Sequence, residues 1–168
     1  MSTNRVIIYS ENNQDSPELP ISFGTFALMM YYASRIDPAL AEVLYHSSIG
    51  EIWYLVIHEI RRDDDIDYEG QAHFAPDDIP SIINFIDSKI IPALRQEDNH
   101  KDLLDTYGGQ AKFYEMFWDE DGFLNDIVIE TDEDYATYPS DLIYYFTEYK
   151  HMLLKALTSN KPFDVWIH

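Results

Sequence analysis

The stretch PSDLIYYFTEYKHMLLKAL, residues 139–157, has the strongest helical pattern in this chain of 168 residues. Its apolar residues recur three or four positions apart, which places them on one side of a helix. They are Leu142, Ile143, Phe146, Tyr149, Leu153, Ala156 and Leu157. The pattern predicts a long amphipathic helix whose apolar side must be covered by other elements.

Four further segments have the spacing of helices. They are residues 22–35, 38–46, 78–95 and 101–118. Pro92 is expected to kink the third of these helices, because proline lacks a backbone donor. The pair Gly108-Gly109 is expected to break the fourth, because glycine favours turns.

Strands are predicted where β-branched and other apolar residues alternate or run together. These segments are residues 5–10, 52–60, 71–74, 123–131 and 163–167. The run at 52–60, IWYLVIHEI, is nearly all apolar, so it is expected to be a central strand covered on both faces. Strands mixed with helices predict an α+β fold: a small, mostly antiparallel sheet with helices packed on it as a single layer pair. The length favours one domain spanning residues 1–168.

Negative charge is the strongest feature of the composition. The chain has 31 acidic and 11 basic residues, for a formal net charge of −20. This balance argues against direct binding to nucleic acid or to an anionic membrane, because both require basic patches. Residues 63–78 hold seven acids and residues 113–149 hold eleven, and neither segment contains Lys or Arg. Concentrated like charge destabilises a fold, so this distribution favours a binding face over a role in solubility alone.

The chain contains no cysteine, which excludes disulfides, thiolate nucleophiles and cysteine-type metal sites. Residues 1–16 contain no apolar run long enough for a signal peptide. No segment approaches the roughly 18 apolar residues that a bilayer span requires. We therefore expect a cytoplasmic protein without a membrane partner.

Two acidic segments resemble calcium loops but fail the required spacing. In DIDYEG, residues 65–70, the acids and glycine are well placed, but position twelve is Pro76, where an EF-hand needs a bidentate Glu. In WDEDGFLND, residues 118–126, placing Gly122 at position six puts Phe117 at position one, where a side chain must coordinate the ion. We therefore predict no metal site and no cofactor.

Catalytic motifs are absent from the sequence. His58-Glu59 begins like the zinc-protease motif HExxH, but Arg62 stands where the second His is required. No nucleophile elbow, phosphate loop or dinucleotide-binding glycine pattern occurs. The sequence therefore predicts a protein that is not an enzyme. A metal-dependent hydrolase whose site is assembled from scattered Asp and His residues stays open as an alternative.

Aromatic residues interleaved with acids are the remaining candidates for function, because aromatics anchor interfaces and acids steer basic partners. The main band is predicted between Trp118 and Tyr138, and the second band between residues 63 and 69. A competing interpretation places Phe117, Trp118 and Phe123 in the core. The predicted partner-binding residues are Trp118, Asp119, Glu120, Asp121, Asp132, Glu133, Asp134, Tyr135 and Tyr138 in the main band, and Asp63, Asp64, Asp65, Asp67 and Glu69 in the second.

Residues 69–94, EGQAHFAPDDIPSIINFIDSKIIPAL, lead from a strand and a turn at Gly70 into an acid-capped helix. Together with the small size, the acidity, the many tyrosines and the lack of cysteine, this pattern resembles bacterial immunity proteins of polymorphic or contact-dependent toxin systems. The resemblance implies tight binding to a toxin domain rather than catalysis. A nuclease toxin has a basic cleft for nucleic acid, and an acidic, aromatic surface could occupy that cleft. The predicted function is therefore a non-catalytic acidic binding protein. A nucleic-acid mimic that blocks a DNA-binding protein is the alternative of the same class.

Overall fold

The computed structural model describes residues 4–9, 18–48, 70–71, 76–127, 136–159 and 163–167. The strands are β1 (Asn4–Tyr9), β2 (Glu18–Ser22), β3 (Gly70–Gln71) and β4 (Phe163–Ile167). The helices are α1 (Phe23–Ile36), α2 (Pro38–Ser47), α3 (Ile79–Phe85), α4 (Ile91–Gln96), α5 (Leu103–Thr106), α6 (Gln110–Trp118) and α7 (Pro139–Ser159). Two 3-10 helices span Pro76–Asp78 and Gly122–Asp126, and a π turn spans Ile86–Ile90.

The fold class predicted from the sequence, α+β with helices packed on a small antiparallel sheet as a single layer pair, is wrong. Helix accounts for 79% of the residues whose side chains are described, and β2 is the one strand among them. The backbones of β1, β3 and β4 pair beside it in a narrow antiparallel sheet of order β2-β1-β4-β3. Most of the described core nevertheless comes from helices that pack on one another, so the architecture is predominantly helical.

Helix α1 lies at the centre of the described core. Every residue from Phe23 to Ser34 is buried, which is typical of a helix surrounded by other elements. Ser22 caps the helix, because its Oγ accepts a hydrogen bond from the backbone N–H of Thr25 at 3.2 Å. The helix contacts β2, α2, α7 and the π turn. The structure confirms the helix predicted at residues 22–35.

Helix α7 confirms the pattern at residues 139–157 and covers α1, α3 and α4. Its buried side consists of Leu142, Phe146, Tyr149, Met152, Leu153 and Ala156. The assignment of Leu157 to this side is wrong, since Leu157 is 45% exposed. Successive helical positions are about 100° apart, so Ala156 can face the core while the next residue faces solvent.

A π turn interrupts the helix predicted at residues 78–95. Pro92 has no backbone N–H and crowds the preceding turn of a regular helix. The N–H of Ile91 bonds to the carbonyl of Ile86, five residues back, and this wider spacing accommodates the proline. The disturbance predicted at Pro92 thus takes the form of a π turn. Asp87 in this turn forms an ion pair with Lys150 of α7, with Oδ1 and Nζ 2.9 Å apart.

The strand predictions have mixed outcomes. β1 and β4 confirm the strands predicted at residues 5–10 and 163–167. The predicted strand at 123–131 is wrong as far as Asp126, because residues 122–126 form a 3-10 helix. Leu124 and Ile127, three residues apart, are both buried, which a 3-10 helix with three residues per turn permits. The strand predicted at 52–60 lies outside the described residues.

Strand β2 was missed because ELPIS contains Pro20. Proline removes a ladder hydrogen bond and is tolerated mainly on edge strands. β2 lies at an edge of the sheet and pairs only with β1 among the described strands, from Ser22 opposite Asn4 to Glu18 opposite Ile8. Its edge position therefore explains why the proline does not prevent the strand.

Candidate partner-binding surface

Helix α6 positions the first four residues of the main band. The preceding Gly108 and Gly109 have positive φ angles of 87° and 99°, which glycine adopts readily, so the break predicted here is confirmed. Phe113, Tyr114 and Phe117 lie three or four residues apart and are buried against the core. The opposite side and the C-terminal end of α6 therefore face solvent.

Trp118 ends α6 and is 58% exposed. Tyr114, one turn earlier, stacks on it, with ring centroids 6.2 Å apart and ring planes 18° apart. Gln110 donates a hydrogen bond from Nε2 to the Tyr114 hydroxyl at 2.8 Å, which fixes the tyrosine beside the indole. Phe117 is buried and Phe123 is partly buried, as the core interpretation predicts for them. That interpretation is wrong for Trp118, because its side chain is largely exposed.

Three carboxylates follow Trp118 directly. Asp119 and Asp121 are exposed, and Glu120 is partly buried. They lie at the C-terminal end of α6, where the helix dipole already concentrates negative charge. Acids near this end of a helix are unfavourable by roughly 0.3–1 kcal/mol each, so helix stability does not account for their presence.

A cleft of about 310 Å³ lies between Glu120 and Asp121 on one side and the corner between α1 and α2 on the other. Asp37 forms the corner: it ends α1 and caps α2, with its Oδ1 accepting a hydrogen bond from the N–H of Leu40 at 3.1 Å. The cleft is lined by Ser34, Arg35, Pro38, Ala39, Glu42, Glu120, Asp121, Gly122, Phe123 and Leu124. Packing thus brings Glu42 of α2 to the same cleft as Glu120 and Asp121.

Tyr31 of α1 contacts Arg35, one of the residues that line this cleft. The guanidinium of Arg35 lies over its ring, with Cζ 5.3 Å from the ring centroid, which is a cation–π contact. The Tyr31 hydroxyl is buried next to Glu120 but makes no hydrogen bond of ordinary geometry with a described group. Burial raises the pKa of Tyr31 above its usual value, while the charge of Arg35 opposes the rise and that of Glu120 adds to it.

Tyr138 is the other member of the main band whose position is described. It precedes α7 and is 44% exposed. Its backbone N–H donates a hydrogen bond to Oδ2 of Asp141 at 3.2 Å, which stabilises the first turn of α7. Within the described part of the chain, no hydrogen bond or ring contact joins Tyr138 to residues 118–121. The structure therefore brings residues 118–121 together but does not connect Tyr138 to them.

The remaining predicted partner-binding residues lie outside the described residues. They are Asp63, Asp64, Asp65, Asp67 and Glu69 of the second band, and Asp132, Glu133, Asp134 and Tyr135 of the main band. Sequence reasoning missed Arg35 and Glu42, which line the cleft. No local signal marks these two residues, because only packing brings the α1–α2 corner to the turn after α6.

Comparisons with protein-family models, with curated proteins and with solved structures find no match to this chain. Among the helices that the structure describes, none is both long enough and apolar enough to cross a membrane. In the same parts of the chain, no group of three or more His, Asp or Glu side chains is placed to hold a metal ion. A function for this surface therefore has to be inferred from its own chemistry.

Proposed function

We propose that the protein is a non-catalytic acidic binding protein that neutralises a basic protein partner. The partner class that fits best is a cognate toxin domain, and the protein would then be an immunity protein acting in the cytoplasm. The observation that most directly supports the proposal is Trp118, a largely exposed indole held by Tyr114 and bordered by three carboxylates.

Trp118 has the properties of an interface anchor. An indole can bury a large apolar area, and tryptophan is enriched among residues whose removal weakens binding most. Stacking on Tyr114 holds the ring in one orientation, so less side-chain entropy is lost when a partner covers it. Asp119, Glu120 and Asp121 follow Trp118 directly in the chain and supply negative charge at this end of α6, which a basic partner complements.

The overall charge supports the same mechanism. A net charge of −20 attracts a basic partner over a distance set by the ionic strength and raises the association rate. Aromatic contacts then slow dissociation, and most differences in affinity between related complexes lie in the dissociation rate. A nuclease toxin has basic groups for the phosphate backbone of its substrate, and an acidic surface can occupy them. Such inhibition by occupancy requires no catalytic residue.

Capture from a lysate of the source organism at low salt, followed by a salt gradient, tests the proposal. The surface variant Trp118→Ala/Asp119→Asn/Asp121→Asn is compared with the unmodified chain. A control variant, Tyr144→Ala/Asp105→Asn/Glu148→Gln, removes an equally exposed aromatic and the same charge elsewhere. We expect the unmodified chain and the control to retain one basic protein that elutes late, and the surface variant to release it at lower salt.

Three results would contradict the proposal. One is that no basic protein is retained at low salt. Another is that the surface variant and the control release the partner at the same salt concentration. The last is an association rate of the purified partner, measured by stopped flow, that does not fall with added salt, because electrostatic steering is screened by ions.

The variant Asp132→Asn/Glu133→Gln/Asp134→Asn tests whether the contact extends along the main band. We expect weaker capture of the partner and an unchanged circular dichroism spectrum, because the substitutions remove charge while preserving side-chain size. Unchanged capture would restrict the contact to residues 118–121 and would remove Asp132, Glu133 and Asp134 from the proposed surface.

A further inference from the structure

Gln110, Tyr114 and Trp118 form a row along one side of α6, because residues four positions apart in a helix lie one above the other. Gln110 donates a hydrogen bond from Nε2 to the Tyr114 hydroxyl at 2.8 Å. Tyr114 in turn stacks on Trp118, with ring centroids 6.2 Å apart and ring planes 18° apart. Two direct contacts therefore link Gln110 to the exposed indole.

The two aromatic rings of this row differ in how firmly they are held. Tyr114 is only 6% exposed, and its ring contacts that of the buried Phe113. Trp118 is 58% exposed. An exposed side chain exchanges rotamers within nanoseconds unless its neighbours hold it. Tyr114 is thus a fixed support, and the orientation of the Trp118 indole depends on that support.

Gln110 acts on Trp118 through Tyr114. The two residues are two helical turns apart, which is about 12 Å along the helix axis. The hydrogen bond from Gln110 holds the Tyr114 hydroxyl and so restricts movement of the tyrosine ring against which the indole packs. The orientation of Trp118 is therefore coupled to a residue at the opposite end of α6.

We infer that Gln110 and Tyr114 are positioning residues for Trp118, which hold its indole in the orientation in which the partner covers it. The inference rests on the proposed function. Immobilising a side chain on binding costs free energy, and an indole that is already held avoids part of this cost. The benefit appears in the dissociation rate, because both positioning residues have neutral side chains that do not steer a charged partner.

The indole signal of Trp118 tests the inference without a partner. Each of the three tryptophans has one Nε1–H group that heteronuclear NMR detects, and the variant Trp118→Phe identifies the signal of Trp118. We expect its heteronuclear NOE to match the backbone amides of α6 in the unmodified chain, and to fall in Gln110→Ala and Tyr114→Phe. A low NOE in the unmodified chain, or an NOE that either substitution leaves unchanged, would overturn the inference.

Both substitutions preserve the helix. Alanine favours helices more than glutamine does, so Gln110→Ala does not weaken α6. Tyr114→Phe keeps the ring that stacks on the indole and removes only the hydroxyl. The control Gln96→Ala makes the same change at an exposed glutamine that ends α4, and it should leave the NOE of Trp118 as it is. An equal fall in the control would contradict a specific role for Gln110.

The double variant Gln110→Ala/Tyr114→Phe tests whether the two residues act as one unit. The two substitutions break the same hydrogen bond from its two ends, so the double variant should lower the NOE no further than the more affected single variant. Additive losses would show that Gln110 does not act through the Tyr114 hydroxyl, and the inference would then be wrong.

Dissociation of the captured partner is the second measurement. We expect Gln110→Ala and Tyr114→Phe to raise the dissociation rate roughly threefold, a size expected when a further side chain must be immobilised on binding. The association rate should not change, and Gln96→Ala should change neither rate. A dissociation rate that is the same in the unmodified chain and both variants would contradict the positioning role.

These outcomes separate the inference from the proposed function. Capture through Trp118, combined with an indole NOE and a dissociation rate that ignore both substitutions, would overturn the positioning role and leave the proposed function in place. If no basic protein is captured, the proposed function fails, and the NMR measurement still decides whether Gln110 and Tyr114 hold the indole.

Discussion

At the scale of the residue, Tyr31 and Tyr32 show how two neighbours of one type acquire different roles. Both are buried in α1. Tyr32 donates a hydrogen bond from its hydroxyl to Oε1 of Glu97 at 3.2 Å, which links α1 to the end of α4. The Tyr31 hydroxyl lies next to Glu120 but makes no hydrogen bond of ordinary geometry with a described group. Neighbouring helical positions point about 100° apart, so their surroundings differ although their types do not.

Removing the two hydroxyls should have opposite effects on stability. Tyr31→Phe should leave the free energy of unfolding unchanged or raise it by up to about 1 kcal/mol, because the hydroxyl that is removed is buried and makes no hydrogen bond of ordinary geometry with a described group. Tyr32→Phe should lower it by roughly 1–2 kcal/mol, because a hydrogen bond to a carboxylate is lost. Urea denaturation at neutral pH measures both. A larger loss for Tyr31→Phe than for Tyr32→Phe would contradict this assignment of hydrogen bonds.

At the scale of the element, the helix boundaries that depend on local chemistry were predictable. Asp37 caps α2 with Pro38 in its first turn, and Gly108-Gly109 separates α5 from α6. The predicted strand at 123–131 fails because its apolar residues fit two patterns. Ile127 belongs to an alternating pattern with Ile129, but it also lies three residues from Leu124, and packing against the core selects the second spacing.

The cap of α2 offers a test at this scale. Asp37→Ala should lower the free energy of unfolding by about 1 kcal/mol, because the backbone N–H of Leu40 loses its acceptor. Asp37→Asn keeps a side-chain oxygen at the cap and should cost less than half as much. Thermal and urea denaturation measure both variants. Equal losses would indicate that the charge of Asp37, rather than the capping hydrogen bond, stabilises this corner.

At the scale of the whole molecule, buried and partly buried tyrosines connect elements: the partly buried Tyr107, after α5, packs edge-on against the buried Tyr31 of α1. Burial raises the pKa of Tyr107 to about 12, and Tyr31 and Glu97 add to the rise. Burial also raises the pKa of Tyr32, with Glu97 contributing. In the unfolded chain, both tyrosines ionise near pH 10. Their contribution to stability is therefore complete below pH 10 and is lost as the pH rises toward the folded-state values.

We accordingly expect the free energy of unfolding to fall steeply above pH 10. A pKa difference of one corresponds to about 1.4 kcal/mol, so Tyr107 alone accounts for a loss on the order of 2 kcal/mol by pH 12. Urea denaturation between pH 8 and pH 12 measures the slope. Tyr107→Phe should be less sensitive to pH over this range, because it lacks one of the ionising groups. The same slope in the variant and the unmodified chain would contradict the assignment.

By itself, the sequence determined the local features of this protein. Capping residues, glycine pairs and helical spacing set where α1, α2, α6 and α7 lie, and the absence of cysteine excluded thiol chemistry. The acid-rich segments were likewise visible, because composition needs no structure. These features depend on residues within a few positions of one another.

Only the tertiary structure decided how much of the core comes from helices rather than from the sheet, and how the surface around Trp118 is arranged. Helices bury most of the described core, which overturned the predicted layer of sheet and helix. Packing also left Trp118 exposed while it buried Phe117, and it brought Glu42 to the cleft beside Glu120. The physical reason is that the burial of a residue and its distance from residues far away in the chain depend on which elements pack together. The spacing of apolar residues in the sequence shows that a helix has an apolar face, but it does not show which element covers that face.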